Sequence, residues 1–85
     1  MKFKIQFEKF NNSGLSNKLH LTTPVDENLL EFFSAIEGIS FATTNDKYTI
    51  SFFKGSLFSN DVVAENIRKA FLQKGYTEYD EETGI

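Results

Sequence analysis

Apolar and polar residues alternate from Met1 to Phe10. Phe3, Ile5 and Phe7 fall on one side, and Lys2, Lys4, Gln6 and Glu8 on the other. A period of two marks a strand with one buried face. Asn11-Asn12-Ser13-Gly14 follows, a cluster of residues suited to turns. The alternation resumes more weakly from Leu15 to Leu21, with Leu19 and Leu21 toward the core and Lys18, His20 and Thr22 away from it. The two stretches predict a hairpin. The period then lengthens. Val25, Leu29, Phe32, Phe33 and Ile36 form one stripe at helical spacing, the pattern of a helix laid on a sheet. Thr23 is the expected N-cap, with Pro24 at the first helical position, where its missing N–H is harmless. Asp26, three residues on from Thr23, resembles the far member of a capping box. Gly38 is the expected stop.

A second hairpin is predicted from Ile39 to Phe53. Ile39 and Phe41 are expected inward and Ser40 and Ala42 outward, with a tight turn at Asn45-Asp46. Tyr48, Ile50 and Phe52 are expected on one face of the next strand, and Thr49, Ser51 and Phe53 on the other. Lys54-Gly55-Ser56 breaks that strand. Ser59 then caps a second helix, with Asp61 in its first turn, where the helix dipole favours a carboxylate. Val63, Ile67, Ala70 and Phe71 make its apolar stripe. Gly75 closes it, and Tyr76 is placed for the apolar contact that accompanies such caps.

The element order is therefore ββαββα. It predicts an α+β fold, a two-layer sandwich with two helices on one face of a four-stranded sheet. Residues 1–76 are expected to form a single domain, and residues 77–85 a flexible acidic tail.

Composition narrows the chemistry. Ten Phe and three Tyr among 85 residues supply a core for a chain of one-domain size. There is no Cys, which excludes disulfides, thiolate metal sites and a thiol nucleophile. The start of the chain lacks the continuous apolar stretch of a signal peptide. No run approaches the ~18–20 apolar residues of a membrane span. These features predict a cytoplasmic protein without membrane contact. A net charge of −3 with a single Arg argues against general nucleic-acid affinity. The one histidine, His20, falls on an outward strand face, and its same-face neighbours Lys18 and Thr22 complete no triad. No catalytic site, metal site or cofactor is predicted. Lys54-Gly55-Ser56 lacks the spacing of a phosphate loop, and Glu78, Asp80, Glu81 and Glu82 read as a solvated charge run.

Two surfaces can bind something. The open face of the sheet is predicted to carry Lys2, Lys4, Gln6, Lys18, His20, Thr22, Ser40, Thr44, Thr49, Ser51 and Phe53, a locally basic set in an acidic protein. Phe10 and Phe53 are its expected apolar anchors. A strip of Leu72, Tyr76 and Tyr79 marks a second candidate contact on the last helix.

The segments Ile36-Glu37-Gly38-Ile39, Tyr48-Thr49-Ile50-Ser51-Phe52 and Ile67 … Ala70-Phe71 … Gly75-Tyr76 resemble the second half of heavy-metal-associated domains, which implies a ferredoxin-like fold. That family binds its ion through a Cys-x-x-Cys loop, and no residue here can inherit the role. The Glu-Gly-Ile followed by hairpin and helix is also similar to the amino-terminal domain of Nfu-type iron–sulfur scaffold proteins. There too a Pro-led helix follows a leading hairpin, and the cluster ligands lie in a separate domain. The resemblance bears on fold and leaves function open. The expected function is a small non-catalytic protein-interaction module, binding a protein partner or a second copy of itself. The alternative is an acidic accessory or inhibitor protein, such as a mobile element carries, acting on a basic protein surface.

Overall fold

A computed structural model describes residues 1–7 and 17–78. The order along the chain is β1 (Lys2–Gln6), β2 (Asn17–Leu21), α1 (Glu27–Ser34), β3 (Ile39–Asp46), β4 (Thr49–Lys54), α2 (Asn60–Gln73) and β5 (Thr77–Glu78). The fold is α+β, as the alternating and helical periods predict. Among the described residues, however, the sheet has five strands rather than four, in the order β3-β4-β2-β1-β5. It is mixed: β5 runs parallel to β1, and the other neighbours are antiparallel. Thr77 and Glu78, expected to open the tail, pair with Lys2 and Phe3 instead. Arg68 on α2 holds Glu78 in place, its Nε donating to Oε1 at 2.8 Å.

Both helices contribute to one core. Phe3, Leu19, Leu21, Ile50 and Phe52 from the sheet meet Leu29 and Phe33 from α1 and Val63, Ile67 and Phe71 from α2. Phe71 is its hub. Its ring touches those of Phe3 at 5.3 Å, Phe32 at 5.4 Å, Phe33 at 6.3 Å and Tyr76 at 5.1 Å. The Phe32 ring is stacked on it and the others meet it edge-on or tilted, contacts that add to the area each ring buries.

The end of α2 follows the expected cap. Gly75 takes φ +95°, its N–H donates to the Leu72 carbonyl, and the Tyr76 N–H reaches back to the Phe71 carbonyl at 3.0 Å. This is the Schellman arrangement, and the Phe71–Tyr76 ring contact is its apolar clasp. At the other end Ser59 caps as expected, accepting from the Val62 N–H.

Other local expectations are corrected. The first helix starts at Glu27, not at Pro24, because Asp26 is its N-cap and accepts from the Leu29 N–H at 2.8 Å. The Val25 N–H is already committed to the Lys47 carbonyl, which ties the Thr23–Val25 segment to the second hairpin. The helix ends at Ser34, ahead of Gly38. Gly38 serves a tight crossing instead. Its φ is +100°, and a Cβ there would lie 3.0 Å from Val63 Cγ2.

The second hairpin turns at Lys47-Tyr48, two residues later than the Asn-Asp pair suggests, since Asp46 and Thr49 are its last partners. The Asp46 carboxylate accepts from the Tyr48 N–H and shapes the turn. Tyr48 is consequently exposed rather than inward.

β3 also carries a register shift between Ile39 and Phe41, where Ile39 opposes Lys54 and Phe41 opposes Phe53. The extra residue, Ser40, reverses the alternation beyond it. Ala42, expected outward, packs against the core, and Phe41, expected inward, is 52% exposed on the opposite face.

Candidate interaction face

The strand registers place the open-face side chains in cross-strand rows. One row runs Lys4, His20, Thr49 across β1, β2 and β4. The next runs Gln6, Lys18, Ser51, Thr43 across β1, β2, β4 and β3. Beyond it, Phe53 and Phe41 sit side by side with ring centroids 6.3 Å apart. The four strands β1 to β4 span roughly 14 Å at ~4.8 Å per strand, which an extended segment of about five residues can cross.

Small residues line the middle of this face. Thr49 and Ser51 are only 6% and 4% exposed, although α1 and α2 both pack on the other side of the sheet, against Ile50 and Phe52. Longer neighbours shelter them. Lys18 Nζ lies 3.4 Å from Ser51 Oγ, and His20 Nδ1 lies 3.4 Å from Thr49 Oγ1. His20 Nε2 meets Gln6 Oε1 at 2.9 Å. A neutral ring protonated at Nε2 satisfies both histidine contacts, donating to Gln6 and accepting from the Thr49 hydroxyl. Partial burial, then Lys4, and less strongly Lys18, push the His20 pKa below its usual value, while Asp46 pulls it up. The charge on the face at neutral pH therefore comes from its lysines.

Charge is unevenly divided between the layers. Within β1 to β4 the bases are Lys2, Lys4, Lys18 and Lys54, and Asp46 is the sole acid. The caps and bodies of the two helices hold Asp26, Glu27, Glu31, Asp61 and Glu65, with Arg68, Lys69 and Lys74 toward the end of α2.

The residues singled out in the sequence separate on this frame. His20 and Phe53 share the open face. Phe10 lies outside the described residues, as does Tyr79. Leu72 is 54% exposed, but it belongs to α2 in the opposite layer. Tyr76, expected in an exposed strip with Leu72, is buried on Phe71. Burial, and then the Asp26 carboxylate, raise its phenol pKa. Its rim lines a cleft of about 260 Å³ with Pro24, Asp26 and Lys74.

Two features were missed. Phe41 joins Phe53 only through the bulge at Ser40, which leaves no mark in the local pattern. A groove of about 390 Å³ runs between the helices, lined by Phe32, Ile36, Lys69 and Ala70 among others. Its apolar floor was legible as the edges of the two helical stripes.

Among the described residues, no group of three or more His, Asp or Glu side chains is placed to hold a metal ion. No helix there is long and apolar enough to cross a membrane. No family model, curated protein or solved structure matches this chain.

Proposed function

We propose that this chain is a non-catalytic, cytoplasmic protein-interaction module whose open sheet face docks an acidic, extended segment of a partner protein. One observation carries the reading. Lysines on β1 and β2 and the exposed pair Phe41–Phe53 share a face, and the strands β1 to β4 that form it hold one carboxylate, Asp46. Complementary charge steers such a segment to the face and sets its register, and buried aromatic rings supply the anchor. The ββαββα resemblance stays a proposal about ancestry. The sheet here departs from a four-stranded ferredoxin-like order by its extra strand.

Selection from a displayed random-peptide library tests the proposal. Recovered peptides are expected to be rich in Asp and Glu with an apolar residue at one end, and to elute as salt rises. Reversing Lys4 and Lys18 together to Glu is expected to weaken them by about tenfold or more, given ~0.2–1 kcal/mol for each exposed pair plus the new repulsion. Recovery of basic peptides that survive those reversals would instead support the second reading, an acidic accessory or inhibitor protein. That reading rests on the carboxylates of the helical layer.

A further inference from the structure

We infer that the open face has a competitor within the same chain, the acidic segment 79–85, which a partner must displace in order to dock. The inference rests on the docking reading above and names what regulates that site. Composition, point of departure and reach all point to this segment. Residues 79–85 hold Asp80, Glu81 and Glu82 and no base, with Ile85 three residues further on. That is the order of acids and apolar residue proposed for the ligand of the face. The point of departure is fixed, because Thr77 and Glu78 pair with Lys2 and Phe3 and Arg68 holds the Glu78 carboxylate. β5 runs parallel to β1, so it is directed along the sheet from the level of Phe3 toward those of Lys4 and Gln6.

Reach and charge then coincide. Lys4, Lys18 and Phe53 lie on one diagonal of the open face. Lys18 pairs with Gln6, so it stands one strand over and two residues along from Lys4. Phe53 lies two residues beyond Ser51, the partner of Lys18, so it stands one strand over and two residues along again. Seen from Glu78, the diagonal begins one strand over and one residue along, at Lys4. With ~4.8 Å between strands and ~3.4 Å per residue, the three side chains stand roughly 6, 14 and 22 Å from Glu78. The seven residues 79–85, if extended, reach about 23–25 Å. Asp80 to Glu82 would then lie about 7–14 Å out, over the interval between the two lysines, and Ile85 would meet the Phe41–Phe53 corner. A segment two residues shorter would stop short of the rings. A tethered segment also acts at an effective concentration that is millimolar for short connections, so individually weak charge pairs suffice to hold it.

Asp80→Asn, Glu81→Gln and Glu82→Gln, introduced together in the full chain, test this. At low salt, the amide spectra of wild type and the triple variant are expected to differ at Lys4, Lys18, Ser51 and Phe53. The difference is expected to shrink as salt rises and to be independent of protein concentration. In the Lys4→Glu, Lys18→Glu background it should vanish. An acid-rich selected peptide is expected to bind the triple variant about fivefold or more tightly than wild type, since its competitor is weakened. Equal affinities with spectra unchanged over the face would overturn the inference and leave the docking reading standing. Differences that grow with protein concentration would also overturn it, because the segment would then come from a second copy. A peptide that binds neither protein would overturn both readings.

Discussion

The two faces of the same strands are built on different terms. On β4, Ile50 and Phe52 enter a closed core, while Thr49 and Ser51 look the other way beneath His20 and Lys18, and Phe53 lies exposed beside Phe41. On the helix side, ring packs on ring, and even a glycine is required where α2 crosses the entry to β3. On the open side, small hydroxyls lie under long polar chains, and apolar area is confined to one corner. The first face explains why the chain folds. The second is surplus to that task, and its ordered rows of lysine and aromatic side chains are where binding is to be sought.

Substitutions that treat the two faces alike should give unlike results. The largest contrast is Phe71→Ala against Phe53→Ala. Removing the hub of four ring contacts is expected to cost about 3–5 kcal/mol, whereas the exposed ring is expected to cost under ~1 kcal/mol. Denaturant unfolding measures both, and equal losses would erase the distinction. A smaller effect sharpens the steric side of it. Gly38→Ala combines a left-handed φ with a 3.0 Å approach to Val63, and is expected to cost about 2–4 kcal/mol. Gly75→Ala shares the backbone strain but meets nothing within 4 Å, and should cost only about 1–2 kcal/mol. Their difference, read from unfolding midpoints, isolates the packing part.

The smallest effect belongs to the open face. The folded-state pKa of His20 is lowered, so the unfolded chain binds its proton more readily. Stability is then expected to fall gently as pH drops through the window below ~6.5 and to be flat above it. His20→Gln should remove that dependence. An acidic segment docked beside the ring would favour its charged form, so binding should strengthen over the same window, and His20→Gln should remove that gain too.

Much of the helical layer was legible. Ser59, Gly75 and Tyr76 act at short range through backbone donors and acceptors a few residues away, so their spacing alone announces the α2 caps. The alternation of β1 and β2 likewise set which side chains face the core. What escaped was decided between segments. Asp26 displaced Thr23 as a cap because the Thr23–Val25 segment is tied to the second hairpin. Ser40 became a bulge through its pairing with β4, which turned Phe41 outward and created the aromatic corner. Thr77 and Glu78 form a strand only because β1 is there to receive them. The basic part of the candidate face was readable, but its apolar anchor was half hidden.

The most direct test is amide chemical-shift mapping of the labelled protein as an acid-rich selected peptide is added. The account predicts saturable shifts along Lys4, Lys18, His20, Thr49 and Ser51 and at Phe41 and Phe53, lost in the Lys4→Glu, Lys18→Glu variant. Shifts confined to the groove of Phe32, Ile36 and Ala70, with the sheet face silent, would contradict it.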